Sequence, residues 1–314
     1  MQQHIPVALE RCIALLTPAL ENKTNPVVID ATLGQGGHSK ALLNTFPTLK
    51  IIGLDRDLSA IELAKTNLQE VMDRTVIVHA VYDEITQVLE NLGISKVDGI
   101  LFDLGVSSMQ LDNADRGFSY ANPAPLDMRM DQSQGISAQE VINSYSKGEL
   151  VRVIRNFGEE KFATRIVDNL IKAREAGTIN TTKDLAELVK ESIPAATRRT
   201  GGNPAKRTFQ ALRIEVNQEL AVLERAIPQA IAALQVGGRL VVMSYQSLED
   251  KIVKSAFSKV TASRTPLGLP IDLPNSKADY KLVISGSEAA SADEIAKNPR
   301  AGSMRLRALE RVAA

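Results

Sequence analysis

The 314-residue chain has no tryptophan, one cysteine and three histidines, and aromatic residues make up only 4% of it. The single Cys12 excludes an internal disulfide, and so few thiol and imidazole groups leave no cluster at zinc-ligand spacing. Long apolar runs are also missing, since none approaches the roughly 18 residues that a membrane span needs. Between Met1 and Leu16, Glu10 and Arg11 interrupt the apolar stretch, whereas an export signal would place a basic flank ahead of it. A net charge is absent as well: 37 basic and 37 acidic residues cancel. That balance excludes coating of nucleic acid through bulk charge alone. The expectation is a cytoplasmic protein with no metal and no membrane partner.

What is present is an ordinary globular composition, 44% hydrophobic and 24% charged, in a chain long enough for about two domains. The charge is unevenly spread. Residues 1–150 carry 11 Lys and Arg against 19 Asp and Glu, while residues 151–314 carry 26 against 18. Within the second half, Ala195 to Arg213 holds Arg198, Arg199, Lys206, Arg207 and Arg213 without an acid, around the breaker Gly201-Gly202-Asn203-Pro204. It reads as a basic loop that could face an anion, although a solvated surface loop has the same composition.

Short β-branched or apolar runs recur at Val27 to Asp30, Ile51 to Asp55, Val76 to His79, Gly99 to Asp103 and Leu240 to Ser244. They predict buried parallel strands, and segments of helical period such as Leu58 to Leu68 supply the crossovers of a βαβαβαβ pattern. An open parallel sheet binds ligands beyond the carboxyl ends of its strands, so the turns after Asp30, Asp55, His79 and Asp103 should line one site. The alternation then breaks. Ser107 to Met130 is turn-like, and Ser137 to Ile193 reads as several amphipathic helices, one starting at a Thr181–Asp184 capping box. Helical period returns from Thr208 to Gln235, where Pro228 should kink or divide the helix, and Gly237-Gly238 should precede the fifth strand. Ser247 to Phe257 predicts another helix, and Asp279 to Ser285 with Ser303 to Leu309 a closing antiparallel pair.

The first turn, Asp30-Ala31-Thr32-Leu33-Gly34-Gln35-Gly36-Gly37-His38, lets backbone approach a ligand where any Cβ would collide. It lacks the Gly-Lys-Ser/Thr of a phosphate loop, and Ser39 stands where the third glycine of a dinucleotide fingerprint belongs. An acid ahead of the glycines would repel a pyrophosphate but suits a ligand with a cationic amino group, which makes S-adenosylmethionine the candidate. Asp55 is placed to accept both ribose hydroxyls, with Asp57 capping the next helix. Tyr82 could cover an adenine face or merely pack, and Asp83 could cap a helix or accept the adenine amine. Asp103 is the catalytic candidate, an acceptor where methyl transfer to a base amine would need one. Its turn, Asp103-Leu104-Gly105-Val106, lacks the two prolines and aromatic of generic amino-methyltransferases, so Asp103 could instead contact cofactor.

Taken together, these residues resemble the bacterial 16S ribosomal RNA (cytosine-N(4))-methyltransferases, the RsmH/MraW family. The resemblance spans nearly the whole chain. It rests on His4-Ile5-Pro6-Val7, the glycine turn, Asp103 to Ser108, Arg116-Gly117-Phe118-Ser119, Pro125-Leu126-Asp127-Met128-Arg129-Met130-Asp131 and Arg207-Thr208-Phe209-Gln210-Ala211-Leu212-Arg213-Ile214. It implies an α/β fold, a class I S-adenosylmethionine-dependent methyltransferase domain with a Rossmann-like doubly wound sheet (1–108 and 212–314). An all-helical domain (109–211) would be inserted in it for rRNA recognition. Cofactor contacts would fall on Gly36, Gly37, His38, Asp55, Tyr82, Asp103 and Gln110, of which His38 and Gln110 rest on the resemblance alone. RNA phosphates would meet Arg198, Arg199, Lys206 and Arg207. Asp127, Arg129 and Asp131 could lie near the target base or form a structural ion-pair network. The implied substrate is a decoding-region (P-site) cytidine of 16S rRNA in the small ribosomal subunit, and a homodimer is left open.

The chain departs from the family at Ser244-Tyr245-Gln246-Ser247, where Ser-Phe-His-Ser is usual, at Lys206 in place of Thr, and at Gly302 where Arg is common. Gln246 can hydrogen-bond but cannot take a proton. The rival reading is therefore a cofactor-binding assembly factor of the small subunit with weak or lost catalysis. DNA cytosine-N(4) methylation ranks last, because the Asp103 turn lacks the prolines and aromatic of that chemistry.

Overall fold

Uninterrupted valine and isoleucine runs build strands that are covered on both faces. The computed structural model describes residues 6–120, 123–198, 202–263 and 277–314. Among them, seven strands form one sheet: β1 (Val27–Asp30), β2 (Lys50–Asp55), β3 (Thr75–His79), β4 (Val97–Asp103), β5 (Leu234–Ser244), β6 (Tyr280–Leu282) and β7 (Arg305–Arg311). Their order is β3-β2-β1-β4-β5-β7-β6, with β1 to β5 parallel and β7 antiparallel to both β5 and β6. This is the class I S-adenosylmethionine-dependent methyltransferase fold, a doubly wound sheet whose order reverses between β1 and β4. The crevice at that reversal is where such sheets bind ligands.

The connecting helices are α1 (Leu9–Leu20), α2 (Gly37–Thr45), α3 (Leu58–Asn67) and α4 (Ile85–Asn91). Next in the chain come α5 (Ser108–Asp112), α6 (Ala138–Ser144), α7 (Lys147–Gly158), α8 (Ala163–Ala176), α9 (Thr182–Ser192), α10 (Ala195–Arg198) and α11 (Lys206–Asn217). They are followed by α12 (Glu219–Ala233), α13 (Ser247–Thr261) and α14 (Ala292–Lys297). Two-residue periodicity divides the strand residues between two cores. Ile29, Ile52, Ile100 and Val242 pack with α4, α12 and α13, whereas Val28, Ile51, Leu101 and Val241 pack with α1, α2 and α3. No described helix is long and apolar enough to cross a membrane.

The chain divides into two compact units, residues 1–105 with 220–314, and residues 106–219. The second boundary falls later than the expected 211/212 because α11 belongs entirely to the helical unit. Phe209 and Leu212 join its core, and Gly158 of α7 lies so close to α11 that a Cβ there would stand 2.6 Å from the Arg207 carbonyl oxygen. The helical break also moves. Pro228 lies inside a continuous α12, and the chain turns instead at Gln218, whose φ of 52° is left-handed. Tertiary bonds fix that point: buried Asn217 accepts the Met130 N–H at 2.7 Å and donates to the carbonyls of Met128 (2.7 Å) and Arg213 (2.9 Å). Likewise β5 begins at Leu234, opposite Val97, and a bulge with Gly237 at φ 82° carries the strand through the two glycines.

Asn217 therefore supports the turn at Met128, itself at φ 60°. Asn217→Ala leaves a buried N–H and two carbonyls without this partner, and should lower unfolding free energy by about 2–3 kcal/mol in urea titrations followed by circular dichroism.

Candidate active site

β1 delivers Asp30, 2% exposed, to the base of the glycine turn. Its carboxylate accepts the Ser39 hydroxyl at 2.6 Å and the Thr32 N–H at 3.3 Å. Burial pushes its pKa up, opposed by those bonds and by His38. The Thr32 hydroxyl in turn accepts the Asp103 N–H at 2.7 Å, so the ends of β1 and β4 are joined. Gly36 caps α2 at φ 78°, and a Cβ there would meet Leu68 at 2.9 Å. One at Gly37 would meet Pro6 at 2.6 Å. The turn thus has room for backbone only.

At the end of β2, the Asp55 carboxylate accepts the N–H of Gly34 at 2.7 Å and of Asp57 at 2.8 Å. Burial nevertheless raises its pKa to about 6, with the Asp57 and Asp30 charges adding to the effect. Asp57 is the cap, accepting the Ser59 N–H of α3 at 3.0 Å. The cap at Asp57 is the one that the sequence suggests. Asp103 ends β4, and one of its oxygens accepts the Tyr245 hydroxyl at 2.6 Å. The other lies 4.0 Å from His38 Nδ1. His38 Nε2 is 3.0 Å from the Val7 carbonyl, which can only accept, so Nε2 carries a proton and Nδ1 is turned toward Asp103.

Tyr82 stands after β3, partly buried, with its ring edge-on to Phe102 at 5.5 Å. Asp83 caps neither of the helices beside it and is held by Arg225 in an ion pair at 2.7 Å. Gln110 is buried on α5 in the other unit, where its Oε1 accepts the Ser107 N–H and its own N–H donates to Ser107 Oγ. The expected basic loop is partly helical. Arg199 and the Arg198 side chain lie outside the described residues, whereas Lys206 and Arg207 open α11. Both line a cavity of about 320 Å³ with Lys161, Phe162 and Asn203, and Arg207 also donates to the Glu159 carbonyl. Arg213 is neutralised by Glu219 in a two-point ion pair.

Around Met128 the side chains bond locally. Asp127 and Arg129 form a bidentate pair at 2.7 and 3.0 Å, and Asp131 accepts from Ser133 and Gln134. Burial alone would raise the Asp127 pKa, but the Arg129 bonds hold it below the usual carboxylate range. Near the end of the chain, Arg307 is bound to Asp250 at 2.7 and 2.8 Å. The sequence carries no signal for the Ser39 and Thr32 bonds. It does carry one for Tyr245, a hydroxyl where the family usually has phenylalanine.

Asp55 and Asp103 thus present acceptors at the switch-point end of the sheet, beside a turn made of glycine backbone. Among the described residues no group of His, Cys, Asp and Glu is placed to hold a metal ion. In the ligand-free protein the Asp55 carboxyl should titrate with a midpoint near pH 6, read by ¹³C NMR. Unfolded aspartate ionises near 3.8, so the folded state binds the extra proton between those values. At this carboxyl, stability therefore falls as pH rises through that window.

The family model described as the MraW methylase family matches residues 1–312. The protein named ribosomal RNA small subunit methyltransferase H of Renibacterium salmoninarum is 55% identical over 314 residues, covering 99% of this chain and 95% of its own. Its namesake from Mycolicibacterium smegmatis is also 55% identical, over 98% of this chain and 84% of its own. Among solved structures, an rRNA methylase from Streptococcus thermophilus aligns over 98% of this chain and 99% of its own, at 11% identity and a TM-score of 0.45. With its sheet order, its glycine turn and a family match over nearly its full length, the chain belongs to the MraW methylase family.

Proposed function

We propose that this protein transfers a methyl group from S-adenosylmethionine to the exocyclic N(4) amine of a specific cytidine in the decoding region (P site) of 16S rRNA, within the small ribosomal subunit. The observation that carries the reading is the Asp55 carboxylate, fixed by two N–H donors beside the glycine turn. Full-length similarity to proteins named ribosomal RNA small subunit methyltransferase H supports the substrate class.

The residues present fit such a cofactor. Asp55 keeps acceptor lone pairs for ribose hydroxyls, since each of its oxygens takes one backbone N–H. Gly36 and Gly37 leave backbone alone at the turn, and the negative Asp103 suits a cationic amino group. Tyr82 and His38 would complete the contacts made by this unit. When bound, S-adenosylmethionine supplies an electrophilic sulfonium methyl. The cytosine amine is a weak nucleophile because its lone pair is delocalised into the ring, so alignment is the main task of the protein. Asp103 would accept a hydrogen bond from the amine or from the cofactor. Lys206 and Arg207, with Arg198 and Arg199 nearby in sequence, would meet RNA phosphates and give binding its salt dependence.

Gln246 has a role of its own. Its amide donates to Glu249 at 3.0 Å, and the same carboxylate accepts the N–H groups of Tyr245 and Gln246. Gln246 thus orders the start of α13, and no proton transfer need be assigned to it.

Incubation with labelled S-adenosylmethionine and small subunits lacking the modification should yield N(4)-methylcytidine on nucleoside mass spectrometry of the rRNA. Cofactor binding without any transfer would favour the assembly-factor reading instead. Asp55→Ala should weaken cofactor binding by about tenfold to a hundredfold in calorimetry, as expected for lost charge-assisted hydrogen bonds. Wild-type affinity should itself fall as pH drops below about 6, where Asp55 gains its proton, and the variant should lose that dependence.

A further inference from the structure

Tyr245 stands immediately after β5, with Ser244 paired to Arg305 of β7 and Gln246 leading into α13. Two anchors hold it. Its backbone N–H donates to the buried Glu249 carboxylate at 2.9 Å, which Gln246 also binds. Its ring packs with the α1–α2 core and lies against the Asp103 turn, where a Cβ built at Gly105 would be 3.7 Å from ring carbon Cδ2. A phenyl ring would serve both the packing and the backbone anchor equally well, so the hydroxyl needs its own explanation. Its partner is Asp103 Oδ1 at 2.6 Å, a short contact typical of a hydroxyl donating to an ionised carboxylate.

We propose that Tyr245 is a positioning residue for methyl transfer, its hydroxyl clamping one oxygen of Asp103 so that the other, on the His38 side, is held toward an incoming N–H donor. The proposal rests on the proposed function and deepens it. Three fixed points define the Asp103 carboxyl: its own N–H on Thr32, Oδ1 on Tyr245, and Oδ2 at 4.0 Å from His38 Nδ1. Because His38 Nε2 is committed to the Val7 carbonyl, Nδ1 faces Oδ2, and the two atoms border the same space. A carboxylate oxygen in that place takes an ammonium or amine hydrogen. Without the Tyr245 hydroxyl, the carboxyl could rotate about its last bond and turn that oxygen away. Tyr245 itself stays protonated, since burial raises its pKa strongly and the Asp103, Cys12 and Glu249 groups around it act in the same direction. It is a fixed donor and never the base.

The test compares wild type, Y245F, D103N and the double variant, because Y245F removes one oxygen and preserves the ring packing. Methyl transfer to small subunits at saturating cofactor should fall about tenfold in kcat for Y245F, the cost of one charge-assisted hydrogen bond. The double variant should be no slower than D103N alone. A second readout needs no turnover: in cofactor-free protein, the ¹³C titration of the Asp103 carboxyl should move to higher pH by half a unit or more in Y245F. A wild-type kcat together with an unmoved Asp103 titration would overturn the proposal. So would a double variant much slower than D103N, which would place the action of Tyr245 elsewhere. Absence of transfer by the wild-type protein would instead defeat the functional reading, and the titration would still judge the Tyr245–Asp103 clamp.

Discussion

One buried carboxylate organises the working end of the sheet. Asp30 sits at the topological switch point, and a buried carboxyl there is tolerable because its oxygens are met by Ser39 and Thr32. Those two bonds determine how the glycine turn leaves β1 and enters α2. Through the Thr32 hydroxyl the same network reaches the backbone of Asp103 on the neighbouring strand. The geometry of Asp55 follows as well, because it accepts the N–H of Gly34 from within that turn. Loss of the Asp30 carboxyl would therefore disturb the binding turn and the end of β4 together.

The strands were legible because each is a short apolar run ended by a polar residue, and burial on both faces demands that pattern. The capping role of Asp57 was legible too, since a cap must immediately precede its helix. What could not be read depends on partners distant in sequence. The break at Gln218 is set by Asn217 bonding to Met128 and Met130 far earlier in the chain, whereas Pro228, a strong local signal, is absorbed within α12. Asp83 looked available because nothing local to it announces Arg225 as a partner.

The candidate site shows the same limit. Its glycines and acids are visible as residue types at strand ends, where the fold rule gives them meaning. The orientation of those acids is not visible, for it comes from side chains on other elements: Tyr245 for Asp103, Ser39 for Asp30. Gln246 drew attention as a missing proton acceptor. Its structural place beside Glu249 shifts the emphasis one residue back, to the phenol that it helps to seat.

The order of the last strands bears on how the sheet assembles. β6 comes before β7 in the chain but lies outside it in the sheet, so its three residues gain a strand partner only with β7. Until β7 docks, the long edge of β5 is an open template for other strands, and the vulnerable interval for misassociation ends with that single docking event.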